Sequence, residues 1–257
     1  MKAYILAAGY ATRLYPLTRD RPKPLLEVGG RPLLSHTLDR LRALPELDEI
    51  IVIGNHRFHD VFQSWADGVD SPAPLRVLDD GSMSDDDKLG AIGDLAFALQ
   101  EAPPANGEDL LVLAGDNWLG FELAPLYDAY REQVNRTLLT VRDLGAVPDG
   151  PSPYNEVTTD GKFRVVRFRE KPETPSTALV AIAVYFFPPT IPALLGFYLE
   201  HGGNPDAPGR FIEWLVQHAP VHCHGFDGEW LDIGSHETLA RAREILGDPE
   251  QETETPP

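Results

Sequence analysis

Residues 6–26, LAAGYATRLYPLTRDRPKPLL, combine small residues with cations in a pattern that suits phosphate binding. Small residues between a strand and a helix let backbone N–H groups approach phosphate oxygens, and nearby cations neutralise the charge. Four residues supply these parts: Gly9, Thr12, Arg13 and Lys23. The stretch has neither the GK[ST] of a Walker A loop nor the spacing G-x-G-x-x-G, so neither standard phosphate loop applies. Taken alone, it is explained equally well by a basic turn.

Two further stretches hold a candidate acidic residue, the first directly after a predicted strand and the second shortly before a predicted helix. Asp116 lies in LAGDNWL (113–119), and Asp232 lies in GEWLDIGSHETL (228–239). Taken alone, each is explained by helix capping or by a turn. The spacing along the chain does not pair the two acids.

Two shorter motifs complete the set of candidate binding residues. In KLGAIGDLAFAL (88–99), Gly90 and Gly93 open a predicted helix after a strand, which suits the close approach of a flat or charged ligand. In FREKPE (168–173), Glu170 and Lys171 stand at the end of a predicted hairpin. The alternative for Glu170 and Lys171 is a solvated surface ion pair.

The elements that would position these residues alternate along the first half of the chain. Apolar runs of strand length occur at 2–6, 49–54, 75–78 and 109–115, and each is followed by a helical pattern. This alternation predicts a largely parallel sheet covered on both faces, in which ligands bind beyond the carboxyl ends of the strands. The stretch NEVTTDGKFRVVRFREKP predicts a hairpin with Asp160-Gly161 at its tip, as a mixed or antiparallel extension of the same sheet.

The composition restricts the class of protein. The chain has 257 residues, 42% of them hydrophobic, and a formal net charge of −18, which argues against nucleic acid or an anionic membrane as a partner. Its single cysteine allows no internal disulfide and favours a cytoplasmic protein. No apolar segment reaches the roughly 18 residues of a membrane span. We expect a single domain over 1–246 and a disordered acidic tail over 247–257.

The string L-A-A-G-x-x-T-R-L-x-P-L-T, followed by P-K-P-L-L, resembles the signature of the sugar-1-phosphate nucleotidylyltransferases. The resemblance extends from Lys2 to about Leu246, and the short chain is similar to the glucose-1-phosphate thymidylyltransferase-like branch. It implies a Rossmann-like three-layer α/β/α fold with a mixed, mainly parallel sheet. Two positions depart from the family pattern, since Ala11 and Ala91 stand where the family has glycine and threonine.

The resemblance also implies a role for each motif. The first loop would bind the nucleotide, and its members are Leu6, Ala7, Ala8, Gly9, Thr12 and Arg13. Arg13 and Lys23 would contact phosphates, and Gly90 would contact the base. Glu170 would bind sugar hydroxyls, while Lys23 and Lys171 would bind the sugar phosphate. Asp116 and Asp232 would hold Mg²⁺ as the cofactor.

The activity implied is nucleotidylyl transfer from a nucleoside triphosphate to a sugar 1-phosphate, giving an NDP-sugar and pyrophosphate. The resemblance to the short, single-domain glucose-1-phosphate thymidylyltransferase-like branch implies dTTP or UTP with glucose 1-phosphate as the substrates. One alternative is cytidylyl transfer to a phospho-alcohol such as phosphocholine. Another is a non-catalytic, nucleotide-sensing regulatory subunit, for which Ala11 is the one supporting feature. The partners would be these small molecules and, in a homo-oligomer, further copies of the chain.

Overall fold

The structure, a computed structural model, describes residues 1–132 and 135–247. Its strands are β1 (Lys2–Leu6), β2 (Glu27–Val28), β3 (Arg31–Pro32), β4 (Glu49–Gly54), β5 (Leu75–Asp79), β6 (Leu110–Ala114), β7 (Asn117–Gly120), β8 (Thr137–Asp143), β9 (Glu156–Thr159), β10 (Val165–Arg169), β11 (Leu179–Phe187), β12 (Val221–Gly225) and β13 (Glu229–Asp232). Its α-helices are α1 (Leu33–Leu41), α2 (His59–Gly68), α3 (Ala91–Glu101), α4 (Ala124–Arg131), α5 (Ile191–Glu200), α6 (Pro208–His218) and α7 (His236–Leu246).

Seven of these strands form one sheet in the order β12-β8-β11-β6-β1-β4-β5. β1 pairs in parallel with β4 and β6, β4 with β5, and β8 with β12. β11 is antiparallel to both of its neighbours, β6 and β8. The predicted mixed, mainly parallel sheet is therefore confirmed, and the loops after β1, β4, β5 and β6 meet at one edge.

Helices cover both faces of the sheet because the central strands are apolar throughout. In β1, the side chains of Ala3, Tyr4 and Ile5 are all fully buried, and they point alternately to the two faces. Ala3 and Ile5 belong to a core with residues of α1, α2 and α4, whereas Tyr4 packs in a second core with residues of α3, α5 and α6. This arrangement is the three-layer α/β/α fold that the sequence predicts.

The predicted hairpin forms, but the prediction that it extends the main sheet is wrong. β9 and β10 pair only with each other as a two-stranded antiparallel sheet, and one isolated bridge, Arg164 to His222, links them to β12. The register shifts between Val165 and Arg167, as it does at a β-bulge. It packs instead against α6 and β11. This packing holds the residues that follow β10 beside the main sheet.

A second short ribbon joins two distant parts of the chain. β7 and β13 are antiparallel, with Asn117 opposite Asp232. α7 begins beyond β13 with a capping box, in which the Ser235 hydroxyl accepts from the Thr238 N–H. The expected disordered tail lies outside the described residues, apart from Gly247. None of the helices in the described ranges is both long and apolar enough to cross a membrane.

Candidate active site

A cleft of about 630 Å³ opens beyond the carboxyl ends of β1 and β6. Most of the predicted site residues line it: Leu6, Ala8, Gly9, Arg13, Gly90, Asp116, Glu170, Lys171 and Asp232. Three do not line it. Ala7 is buried behind the loop and Thr12 is exposed, whereas Lys23 reaches the cleft through its contact with Asp116. The structure thus brings together residues from five separate segments of the chain at the predicted edge.

Hydrogen bonds to β4 and to the loop after it hold the first loop in place. The Ala7 N–H donates to the Ile53 carbonyl (2.9 Å), and the Ala8 carbonyl accepts from Nδ2 of Asn55 (2.8 Å). Asn55 is fully buried, so these bonds are shielded from water. Gly9 follows in the open, since a Cβ placed there would meet no atom within 4 Å. The protein's own packing therefore does not require glycine at this position, and the backbone is accessible to a ligand.

Ala11 adopts a left-handed backbone conformation, with φ 48° and ψ 43°. It precedes a 3₁₀ turn over Thr12–Leu14, and its carbonyl accepts from the Leu14 N–H (3.0 Å) and the Thr18 hydroxyl (2.8 Å). Glycine adopts this conformation without steric cost, which explains why the family pattern has glycine here. The turn forms despite the methyl group, and it places Arg13 in the wall of the cleft.

The two predicted metal ligands lie side by side on the β7–β13 ribbon. Asp232 ends β13 opposite Asn117, and the Ile233 N–H donates to the Asp116 carbonyl (3.1 Å). Lys23 Nζ lies 2.6 Å from Asp116 Oδ2. Burial raises the pKa of Asp232, and the nearby negative charge of Asp116 raises it further. The positive charges of Lys23, Lys171 and Arg13 oppose that shift.

This donor set fits Mg²⁺. Two repelling carboxylates offer the hard oxygen ligands that Mg²⁺ prefers, and Mg²⁺ commonly takes only one or two protein carboxylates together with substrate phosphates and water. Among the described residues, no group of three or more His, Cys, Asp or Glu is placed to hold a metal ion. The pair would therefore bind the ion jointly with a phosphorylated substrate.

Glu170 and Lys171 enter the cleft from the hairpin end. Lys171 has φ 46°, a left-handed conformation, and the chain bends there after the end of β10. Glu170 packs so tightly on Gly209 that a Cβ at Gly209 would lie 1.8 Å from Glu170 Oε2. Burial raises the pKa of Glu170, whereas the neighbouring charges of Lys171 and Arg210 lower it. Packing against Gly209 thus holds the Glu170 carboxyl group in place beside the cleft. A solvated ion pair on the surface would not need such close packing.

Gly90 lines the cleft, and its backbone is approached closely by another part of the chain. With φ 80°, it lies so near the segment 205–206 that a Cβ would be 2.6 Å from the Asp206 Cα. The Pro205 carbonyl accepts from the N–H groups of Ile92 (2.8 Å) and Gly93 (3.2 Å). These bonds cap the start of α3. Internal packing thus accounts for the glycine at position 90.

Several residues of the cleft are not among the predicted site residues. They include Asp94, Lys88, Asp206, Tyr154 and Trp230. Lys88 forms ion pairs with Asp85 (3.1 Å) and Asp206 (3.4 Å), and the rings of Tyr154 and Trp230 pack 5.6 Å apart. Asp94 could have been singled out from the sequence, because it is an acid within the apolar pattern of α3. Positions on the apolar face of a helix are rarely charged.

Comparisons with known proteins agree with this arrangement. A family model described as nucleotidyl transferase matches residues 2–248. A UTP-glucose-1-phosphate uridylyltransferase of Haloferax volcanii is 29% identical over 252 residues, which are 96% of each chain. A mannose-1-phosphate guanylyltransferase of Mycobacterium tuberculosis is 34% identical over 93% of this chain and 62% of its own length. This chain covers 60% of a similar uridylyltransferase of Synechocystis sp..

Solved structures show the same fold. A Bacillus anthracis protein named as a glucose-1-phosphate thymidylyltransferase superposes with a TM-score of 0.74 at 23% identity, over 97% of this chain and 96% of the other. An apo UDP-glucose pyrophosphorylase gives a TM-score of 0.73 at 16% identity, over 96% and 97% of the two chains. With its first motif, its fold and a family match over nearly its whole length, this chain belongs to the nucleotidyl transferase family.

Proposed function

We propose that this protein transfers a nucleotidyl group from a nucleoside triphosphate to a sugar 1-phosphate and releases pyrophosphate. One observation carries the proposal: Asp116 and Asp232 lie together at the carboxyl edge of the sheet, with Lys23, Lys171 and Arg13 close to them. Related proteins are named for the transfer of uridylyl or guanylyl groups to glucose or mannose 1-phosphate. The acceptor is therefore proposed to be a hexose 1-phosphate.

The chain's residues act by positioning and by neutralising charge. The attacking group is an oxygen of the sugar phosphate, which is already anionic at neutral pH, so no side chain needs to remove a proton. A bond forms between this oxygen and the α-phosphorus, while the bond to the departing pyrophosphate breaks. The main barrier is the repulsion between two polyanions that must meet in line. Cations fixed beside the cleft reduce this repulsion.

Each cation has a place in this scheme. Arg13 projects from the turn after the first loop and would bind the departing pyrophosphate. Lys23 and Lys171, both close to Asp232, would bind the phosphates around the α-phosphorus. Asp116 and Asp232 would hold Mg²⁺, which when bound supplies positive charge shared by the nucleotide and the sugar phosphate. Glu170 would accept hydrogen bonds from sugar hydroxyls.

We further propose that residues 1–246 form one domain and that the protein acts in the cytoplasm. We also propose that copies of the chain assemble into a homo-oligomer. The long-range field of a chain with a net charge of −18 repels its own substrates. Salt screens this repulsion beyond about 8–10 Å. Binding then depends on the cations within the cleft.

The experiment is pyrophosphate release from the purified protein with Mg²⁺. Five nucleoside triphosphates (dTTP, UTP, CTP, GTP and ATP) are each combined with glucose 1-phosphate, mannose 1-phosphate or phosphocholine. We expect release that requires a sugar phosphate and disappears with EDTA. Release only with phosphocholine would instead favour a CDP-alcohol product. Nucleotide binding without release from any pair would favour a regulatory subunit.

A further inference from the structure

An ion pair between Glu156 and Arg169 lies at the end of the hairpin from which Glu170 and Lys171 enter the cleft. Glu156 begins β9 and is 1% exposed, and the reaction proposed above gives it no role. It stands opposite Arg169, the last residue of β10, in the register of the hairpin. Oε1 of Glu156 accepts from Arg169 Nε (2.6 Å), and Arg169 Nη2 lies 2.5 Å from the same oxygen. Such a buried carboxylate is tolerated only when it is paired and hydrogen-bonded.

The bonds of this pair extend beyond the hairpin, to the segment 170–178 that links β10 to β11. Oε2 of Glu156 accepts from the backbone N–H of Ser176 (2.6 Å). Nη2 of Arg169 donates to the carbonyl of Thr174 (2.9 Å). The segment contains neither helix nor strand, so bonds of this kind determine its conformation. A pair that served only to join β9 to β10 would need neither of them.

Glu156 stays ionised in spite of its burial. Burial raises the pKa of this carboxyl group, but the hydrogen bonds from Ser176 and Arg169, with the positive charge of Arg169, outweigh burial and lower the pKa below its ordinary value. An ionised carboxylate accepts at both oxygens, and its charge-assisted bonds are shorter and stronger than neutral ones. A buried network whose members are all satisfied rigidifies the groups that it joins.

The backbone on the other side of Glu170 and Lys171 is held as well. The Ser152 N–H donates to the Pro172 carbonyl (3.0 Å), and both of these residues are buried. Glu170 and Lys171 therefore lie between two fixed positions, Arg169 and Pro172. A backbone that is fixed on both sides of two residues limits where their side chains can point.

We infer that Glu156 and Arg169 form a positioning pair for the sugar-phosphate side of the cleft. By holding the segment 170–178, the pair directs Lys171 to the phosphate of the acceptor and Glu170 to its hydroxyl groups. Neither member of the pair touches the substrate itself. The inference rests on the proposed function, in which Glu170 and Lys171 bind the sugar 1-phosphate.

The nucleotide side of the cleft depends on other contacts. The first loop is held by its bonds to the Ile53 carbonyl and to the Asn55 side chain, on β4 and just after it. Neither bond involves the hairpin. Loss of the positioning pair should therefore impair use of the acceptor and spare use of the nucleotide.

The experiment is steady-state kinetics of full-length Glu156→Gln with Mg²⁺ and the nucleotide and hexose 1-phosphate that give the fastest release. Glutamine has the same shape, but its amide group turns an N–H towards a donor of either Arg169 or Ser176. We expect kcat/KM for the sugar phosphate to fall by about 10- to 100-fold, because a shift of about 1 Å can cost that much. At saturating sugar phosphate, kcat/KM for the nucleotide should change by less than about threefold.

Two further variants complete the design. Glu244→Gln makes the same change in an exposed ion pair of α7, where Arg241 Nη1 lies 2.6 Å from Glu244 Oε2, and it should leave both values unchanged. Glu156→Gln combined with Arg169→Met leaves no unpaired charge in the hairpin, so it should melt closer to the wild-type protein than Glu156→Gln alone. Its defect with the sugar phosphate should persist, because the bonds that hold the segment 170–178 are not restored.

Several kinetic results would overturn the inference. These are equal losses for the sugar phosphate and the nucleotide in Glu156→Gln, no loss for either, or normal use of the sugar phosphate by the double variant. Failure of both the single and the double variant to fold would assign the pair to stability, and it would overturn the inference as well.

Hydrogen–deuterium exchange separates failure of the inference from failure of the proposed function, because it needs no substrate. In Glu156→Gln, exchange should be faster over 170–178 and unchanged over the first loop, 6–14. This pattern in a protein without turnover refutes the reaction alone. Unchanged exchange over 170–178 in a protein that releases pyrophosphate refutes the inference alone.

Discussion

Replacing Ala11 with glycine should stabilise the protein, although glycine generally weakens folded structure. Ala11 has φ 48° and ψ 43°, where its Cβ crowds the backbone. An L-residue in this conformation costs about 1–2 kcal/mol relative to its ordinary conformation. Glycine removes that cost but loses about 0.5–1 kcal/mol more backbone entropy on folding. The difference predicts a gain of about 0.5–1 kcal/mol in the free energy of unfolding.

The hydrogen bonds around Ala11 support this estimate. Its carbonyl accepts from both Leu14 and Thr18, and neither bond involves the side chain that the substitution removes. The turn should therefore keep its conformation in Ala11→Gly. For a chain of this size, about 1 kcal/mol corresponds to roughly 2–4 °C in the melting temperature.

Urea denaturation and calorimetry of Ala11→Gly would measure the change. The matched control is Ala240→Gly, at an exposed position within α7, where glycine should cost about 1 kcal/mol. The two variants make the same chemical change and should shift stability in opposite directions. A loss of stability in Ala11→Gly comparable to that in Ala240→Gly would refute the strain assigned to this loop.

Three further predictions concern the charges of the cleft. Lys23→Ala or Asp116→Ala should lower kcat for pyrophosphate release by at least about 100-fold while circular dichroism stays unchanged, because the first removes a positive charge beside the reacting phosphates and the second removes a proposed ligand of Mg²⁺. Near-normal rates, equal to those of Lys162→Ala at the exposed hairpin tip, would contradict the mechanism. Lys171→Ala should raise KM for the sugar 1-phosphate more than KM for the nucleotide, and steady-state kinetics with each substrate varied would show whether the two rise together instead. The pKa of about 8 at Asp94, raised by burial and then by a neighbouring carboxylate, lies above the value of about 4 in an unfolded chain, so the folded state holds the extra proton between these values. The stability contributed by this group is therefore fully present below about pH 4 and is lost as the pH rises towards 8. Urea midpoints of wild type should fall across pH 5–8 more steeply than those of Asp94→Asn, and parallel curves would show that the acid titrates normally.

Several features of the protein could be predicted from local sequence because they depend on local physical chemistry. Unbroken apolar runs such as KAYIL and DLLVLAG specify strands buried on both faces, and the helical patterns between them require crossovers. That arrangement alone predicts the edge where the cleft opens. The small residues and cations of the first loop lie directly after the first strand, so their place at that edge also follows from the sequence.

Other features depend on contacts between residues far apart in the chain. The β7–β13 ribbon sets Asp116 beside Asp232, and no spacing rule joins two residues more than a hundred positions apart. The reason for glycine at position 90 is the segment 205–206, which approaches it from another part of the fold. The β9–β10 hairpin was expected in the sheet, yet it reaches the edge strand β12 through one isolated bridge and packs instead against α6 and β11.

What the sequence determined by itself is therefore the order and kind of the elements and the position of the first loop, because hydrophobic periodicity and turn chemistry act within a few residues. Tertiary structure alone decided the electrostatics of the cleft. In the sequence, Asp94 is a single acid within a predicted helix. The fold buries it and places the charge of Asp80 close to it. Burial and charge proximity belong to the folded arrangement, and they raise the pKa of this carboxyl group far above its ordinary value.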